Sequence, residues 1–344
     1  METPAGLGYY MPAEWAQHAA TWISWPHNLD TWPGVLPEAE RIMASAVRAL
    51  AAGETVRINV LNAEHEHRVA ALVGDVPAGR AVFHVIPTND AWCRDHGAIF
   101  VTRHGSEAPI AATAWSFNAW GGKYPPFDLD DAVAAHMAVA LDVPCFSNDL
   151  VMEGGSIEVN GRGLLLTTTS CLLNPNRNPD RSRAEIERAL GDNLGAVDIV
   201  WLSGDLVGDD TDGHIDNLVR FVDASTVLVS VEPDPSDDNH APLADNLARL
   251  RSENEQRKLG LRIIELPMPE PVFGNGLRLP ASYANFYIGN RVVLLPAYGG
   301  SREETAVDTL RKHFPDREIV PLDCSAIIHG FGAFHCLTQQ VPFT

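Results

Sequence analysis

The sequence predicts an α/β fold built from five similar units closed around a common centre, and three observations predict it. Helical periodicity returns five times along the 344 residues, around 37–52, 130–141, 183–191, 243–258 and 303–314. Each helical stretch is followed by a short apolar run of strand character: "TVRINVL", "VPCF", "VDIVWL", "LRIIELP" and "EIVPL". A polar turn then leads to further strand-like segments, and one chemically capable residue falls in each turn. Those residues are Asp95, Glu153, His214, Asn285 and Cys336, separated by 58, 61, 71 and 51 residues. A repeat of this length suits a propeller or another closed array in which every unit lends its equivalent turn to one centre. The first unit carries an extra helix around 63–74, and an ordinary layered α/β protein fits the same alternation.

The turns differ in the chemistry they hold. "NDAWCRDHGAIFV" (89–101) brackets Trp92 and Arg94 with Asp90 and Asp95. An Asp capping a turn beside a core Trp explains it, as does a carboxylate with an aromatic wall for a planar cation. "VMEGGSIEVNGRG" (151–163) puts Glu153 before two glycines, where backbone comes close to something. "LLNPNRNP" (172–179) reads as a structural turn. In "GDDTDGHIDNLVRFV" (208–222), His214 and Asp216 stand at i and i+2, facing one side if the segment is a strand. That spacing also suits metal ligands, so a metal-dependent amidinohydrolase is a rival reading. Tyr283 and Asn285 in "ASYANFYIGN" suit a pocket wall or core packing equally. Last comes "HGFGAFHCLTQQVPFT" (329–344), where Cys336 is a buried filler, a ligand or a nucleophile.

Composition narrows the partners. Lys plus Arg number 25 against 45 Asp plus Glu, a net charge of −20, which repels phosphate backbones and anionic headgroups. Nucleic acid and membrane are therefore not expected partners. The N-terminal stretch has no basic and apolar regions of a secretory signal, and no apolar run reaches about 18 residues. The five cysteines (93, 145, 171, 324 and 336) lack CxxC pairing, which argues against a disulfide framework and a structural zinc site. A cytoplasmic protein with free thiols and one domain spanning 1–344 is the expectation. One thiol, one imidazole and at least three carboxylates make sense around a cation, since around a neutral ligand the carboxylates would repel one another. A guanidinium offers planar donors to carboxylates and an electrophilic carbon to a thiolate.

Together "MPAEWAQHAATWISWP", "NDAWCRDHGAIFV", "EGGSIEV", "CLLNPNRNP", "DDTDGHIDNLVRFV", "NFYIGN" and "FHCLTQQVP" resemble the agmatine deiminase family. That family lies within the guanidine-modifying (pentein) superfamily, related to bacterial peptidylarginine deiminases. The resemblance runs from about residue 9 to the end, with the motifs in family order. It implies a five-bladed ββαβ propeller with pseudo-fivefold symmetry around a central polar channel. It implies a hydrolase of linear amidines serving polyamine and putrescine biosynthesis, with no metal and no organic cofactor, and it leaves homo-oligomerisation open. By motif, Cys336 matches the nucleophile and His214 the general acid/base. Glu153 matches the carboxylate that orients the imidazole, and Asp95 and Asp216 match the aspartates gripping guanidinium nitrogens. Trp92 resembles the aromatic beside the alkyl chain and Asp210 a residue near the distal amine. Asp90, Asp209 and Asp212 lie in the motif turns, where an acidic channel would suit a dication, and Asn285 is a candidate for its lining.

The expected reaction converts a small cationic alkylguanidine, agmatine first, to N-carbamoylputrescine and ammonia through a covalent thiouronium on Cys336. Arginine, a methylated arginine or a guanidino acid is the alternative substrate; a non-catalytic amine-binding protein is a further alternative. Arginine would need a cationic clamp, for which Arg94, Arg177 and Arg220 are the nearby candidates. Two departures from the family pattern alter the lining. Gly330-Phe331-Gly332-Ala333-Phe334-His335-Cys336 stands where the family usually has Gly-Gly-Gly-Asn-Ile-His-Cys, which adds Phe331 and Phe334 near the thiol, and Glu158 stands where the family often has His.

Overall fold

A computed structural model describes residues 2–105 and 107–344. Four of its sheets have the same plan: two antiparallel strands, then a helix, then a third strand parallel to the second. They comprise Ile99–Thr102, Ile110–Ser116 and Cys145–Val151; Ile157–Val159, Leu164–Thr168 and Asp198–Leu202; Val219–Asp223, Thr226–Val231 and Arg262–Pro267; and Tyr287–Ile288, Val292–Ala297 and Glu318–Asp323. Adjacent parallel strands require a crossover, and the helices Val133–Leu141, Arg183–Leu194, His240–Arg257 and Glu303–His313 supply it. Each middle strand lies between two neighbours with both faces covered. Leu164–Thr168 and Val292–Ala297 are buried at every residue, so neither alternates: Val292–Ala297 reads as an unbroken apolar run and Leu164–Thr168 as three leucines followed by two threonines.

The fifth sheet joins the two ends of the chain. Its order is Thr338–Pro342, His18–Ser24, Thr55–Val60 and Ala81–Val85. Thr338 lies opposite Ile23 and Gln340 opposite Thr21 in an antiparallel pair. The helix Leu36–Ala51 crosses to Thr55–Val60, and Ala63–Val73 makes the extra crossing to Ala81–Val85. A two-residue hairpin, Phe273–Gly274 with Leu277–Arg278, stands apart. The protein is thus mixed α/β with no closed barrel among the described residues. No described helix is long and apolar enough to cross a membrane.

The helix and strand expectations hold to within a few residues, except that 130–141 divides into Asp128–Asp131 and Val133–Leu141. Periodicity did not reveal His18–Ser24, Ala81–Val85 or Ile110–Ser116. His18–Ser24, "HAATWIS", is buried at all but one position, so no period-2 alternation marks it. What matters for function is where the connections between sheets lie. Each of the five carries one of the residues singled out by spacing: Asp95, Glu153, His214, Asn285 and Cys336.

Candidate active site

The thiol is held from two sides. Asn285 donates its Nδ2–H to Cys336 Sγ at 3.1 Å, and its Oδ1 accepts the Cys336 backbone N–H at 3.4 Å. The thiol in turn donates to Asp216 Oδ2 at 3.5 Å. Burial, together with the Asp216 and Asp95 carboxylates, pushes the thiol well above its usual range, while the Asn285 donor opposes the rise. Behind the thiol, His335 bridges Asp216 Oδ2 at 2.7 Å and Glu14 Oε2 at 2.8 Å.

His214 stands between two carboxylates. Its Nδ1 is 3.7 Å from Asp95 Oδ1 and its Nε2 is 3.8 Å from Glu153 Oε2, and among the described residues neither ring nitrogen has a hydrogen-bond partner. Burial alone would lower the imidazole; Asp95, then Cys171 and Glu153, carry it well above its usual value. Asp95 accepts from the Trp120 indole N–H at 3.0 Å and from Gly155 N–H at 3.0 Å. Burial raises its carboxyl, with Asp216 and Glu153 adding and His214 opposing. Glu153 behaves oppositely. Burial would raise it, but the Arg177 guanidinium at 2.6 Å and His214 outweigh that and hold it low.

These side chains converge because of Gly155. A Cβ there would lie 2.6 Å from His214 Nδ1, 2.8 Å from Asp95 Oδ1 and 3.1 Å from Asp216 Oδ2. His214 and Asp216 are not on a strand, as the i, i+2 reading expected. His214 precedes a 3-10 turn, Ile215–Asn217, with an extended ψ of 136°, and the turn brings Asp216 back to the same point.

A cavity of about 840 Å³ opens onto this cluster. Cys336, Asp95, Trp92, Trp120, Asp90 and Asp210 lie in its wall, whereas His214, Glu153, Asp216 and Asn285 lie behind it. Asp90 accepts from the Thr31 hydroxyl and the Ala91 N–H, and Asp210 from the Tyr124 hydroxyl. Burial raises both carboxyls to about 6; for Asp210 the neighbouring Asp209 adds to the rise. Asp209 and Asp212 take no part in the wall. Asp209 holds the Gly213 N–H and the Thr211 hydroxyl, and Asp212 pairs with Lys123 and Arg177. Tyr283 and Phe334 are core residues. Phe334 therefore adds no wall, while Phe331 does.

The arginines are all spoken for. Arg177 pairs with Glu153 and Asp212, Arg220 with Glu14 at 2.8 Å and Glu158 at 3.0 Å, and Arg94 with Glu14 at 3.2 Å. None of the three lines the cavity, so none clamps a carboxylate there. Glu14 is the hub of this network, joined to two arginines, His335 and the Ile288 N–H. Sequence reading missed it, because a lone Glu near the N-terminus carries no local sign of burial. Trp120 was missed as well. It sits in a left-handed turn, with φ of 50°, 55°, 94° and 77° at Ala119, Trp120, Gly121 and Gly122. Left-handed backbone costs about 1–2 kcal/mol per non-Gly residue, and such strain concentrates at ligand sites.

Among the described residues, the His214 and Asp216 pair considered from the sequence gains no third residue to make a metal-ligating set. The atoms within 4.8 Å of one another belong to Glu153, Cys171 and His214. Arg177 already supplies positive charge to that Glu153 carboxylate.

Comparison with known proteins places the chain in a family. A Legionella pneumophila (strain Paris) protein provisionally named agmatine deiminase is 37% identical over 341 residues, covering 98% of this chain and 97% of that one. The solved agmatine deiminase of Enterococcus faecalis, described as catalysing its reaction, is 30% identical with a TM-score of 0.91, covering 99% and 98% of the two chains. The substrate-bound agmatine deiminase of C. jejuni is also 30% identical, with a TM-score of 0.87 and 97% and 96% covered. An inosamine-phosphate amidinotransferase of Streptomyces griseus, 14% identical with a TM-score of 0.51, shares the pentein fold alone. The model of the Porphyromonas-type peptidyl-arginine deiminase family matches residues 10–342, and the chain belongs to that family.

Proposed function

We propose that this protein hydrolyses a small cationic alkylguanidine, agmatine first, to N-carbamoylputrescine and ammonia, and that residues 1–344 form one catalytic domain. In this reading the five sheets stand as blades about a central polar channel, and the five connecting segments supply its chemistry. The observation that carries it is a cavity whose floor is Cys336 and Asp95, backed by His214, Glu153 and Asp216, with no arginine in its wall. Two of the solved relatives are agmatine deiminases, one of them with substrate bound.

The guanidinium seats against Asp95 with its carbon facing Cys336 Sγ, and Asp216 behind the wall offers it an Oδ1 unpartnered among the described residues. The guanidinium's positive charge offsets the carboxylates that hold the thiol protonated, so as substrate seats the thiol gives up its proton by way of Asp216 Oδ2 to solvent and the thiolate forms. Sulfur attacks the central carbon and a tetrahedral adduct forms. His214, kept cationic by Asp95 and Glu153, donates its proton to the departing nitrogen, and ammonia leaves from a thiouronium. A water gives one proton to His214 and its hydroxide attacks that carbon; the C–S bond then breaks as the adduct's O–H proton passes to sulfur, which restores the thiol. The ureido product is neutral and loses its hold on the carboxylates. Trp92 and Trp120 flank the chain, and Asp90 and Asp210 receive a distal ammonium.

The test is ammonia release from agmatine, arginine, methylated arginines and guanidino acids. Cys336→Ala should lower the rate by roughly 10⁴-fold or more with the fold intact. Undiminished ammonia release from Cys336→Ala would falsify the covalent route. A guanidino acid that beats agmatine by more than tenfold would remove agmatine and leave the deiminase chemistry. Release of urea in place of ammonia would favour the metal-dependent alternative.

A further inference from the structure

Phe331 occupies a position that suits glycine. Its φ of 68° and ψ of 12° are left-handed, where a bulky side chain is a genuine outlier. The residues on either side cannot carry side chains at all. A Cβ at Gly330 would lie 2.7 Å from Trp92 Cζ2, and one at Gly332 would lie 2.5 Å from Trp92 Cζ3 and 3.1 Å from Cys336 Cβ. The 330–332 segment is thus wrapped onto the Trp92 indole, five residues before the thiol, and 331 is its one position that presents a side chain. That side chain is half-buried, packs against Leu279, Ala281 and Ile328, and forms part of the same cavity wall as Cys336, Asp95 and Trp92. A glycine would relieve the backbone at the cost of the ring's packing against the Leu279, Ala281 and Ile328 cluster. An aromatic ring held against backbone preference on a ligand wall points to contact with the ligand.

We propose that Phe331 is a specificity-determining residue: its ring forms the apolar wall along the methylene chain of the guanidine and so gauges chain length. This rests on the guanidine reading above. A wall matched to one chain discriminates a missing or added methylene by about tenfold or more.

The experiment measures binding of three-, four- and five-methylene aminoalkylguanidines to the Cys336→Ala protein by calorimetry, and ammonia release from the same compounds by the intact enzyme. Each is repeated with Phe331→Gly and Phe331→Leu. Intact Phe331 should give a spread of about tenfold or more across the three chains, and Phe331→Gly should flatten it below about threefold. Phe331→Leu, which keeps apolar packing against Leu279, should fall between and covers the case in which the glycine variant melts early. An unchanged spread in the folded variants, or no spread in the parent, overturns the proposal while ammonia release upholds the deiminase reading. A spread in binding that Phe331→Gly flattens, with no ammonia released by the intact enzyme, overturns the deiminase reading alone.

Discussion

Asp216 Oδ2 is shared: His335 Nδ1 lies 2.7 Å from it and the Cys336 thiol donates to it at 3.5 Å. The residue adjacent to the thiol in sequence therefore modulates the thiol through a carboxylate contributed by another sheet connection. His335 also anchors Glu14, so the same imidazole ties the thiol to the buried arginine network.

Replacing His335 by Ala removes a hydrogen bond from each of two buried carboxylates. It should destabilise the fold by about 3 kcal/mol. It should also raise the Asp216 carboxyl, which His335 helps hold low, and leave the charge it carries at neutral pH without that donor to offset it against the thiol, moving the alkaline limb of kcat/KM to higher pH. Chemical denaturation and a pH–rate profile measure the two effects, and a limb that stays put would show that Asp216 does not transmit His335's influence.

Gly155→Ala tests the convergence point. The glycine's backbone is unstrained for alanine, so the only penalty is the Cβ pressed against His214, Asp95 and Asp216. Overpacking of this kind costs about 1–3 kcal/mol. Ammonia release should fall by at least about a hundredfold while a cooperative melt persists. Near-normal turnover would mean that the three side chains need not meet there.

Asp210 carries a pH prediction. Burial raises its folded carboxyl to about 6, above an unfolded value near ~3.9. A raised carboxyl contributes stability that is full below the unfolded value and lost as pH rises through the folded one. Asp210→Asn keeps an acceptor for Tyr124 and removes that loss, so it should be more stable than the parent at pH 8, by roughly 1–2 kcal/mol. It should also bind a dicationic guanidine more weakly. In the parent, KM for such a substrate should climb as pH falls below about 6, where Asp90 and Asp210 are protonated. Equal pH dependence for monocationic and dicationic guanidines would count against a distal ammonium at this site.

Without substrate the thiol is held protonated by burial and by Asp216 and Asp95. Alkylation of Cys336 by a neutral reagent should therefore be slow at pH 7 and rise only above the ordinary thiol value of about 8.5. Peptide mapping of the alkylated thiol reads this out. An inflection below pH 8 would show a resting thiolate and a different source of activation.

The sequence by itself determined a good deal of this protein. The strand-like segments after each turn, such as those holding "LLLTT" and "VVLLPA", are strands buried at every residue, and helical periodicity placed the helices within a few residues. The even spacing of Asp95, Glu153, His214, Asn285 and Cys336 marked all five sheet connections, because a repeated unit returns its equivalent turn at a repeated interval. The resemblance to agmatine deiminases supplied the chemistry that spacing left open.

Only the tertiary structure decided which charges meet. Arg94, Arg177 and Arg220 stood near the motifs as candidate clamps, yet each is drawn inward to Glu14, Glu153, Glu158 or Asp212. Glu14 became a hub, and Trp120 and Phe331 entered the cavity from left-handed backbone. Local sequence records which face of an element is apolar; it does not record the partner of a buried charge, since that partner comes from another unit of the fold. The pairing of Thr338–Pro342 with His18–Ser24 is the clearest case. Neither strand shows alternation, and their pairing brings the two ends of the chain into one sheet, so that the thiol just before the last strand lies at the centre of the site.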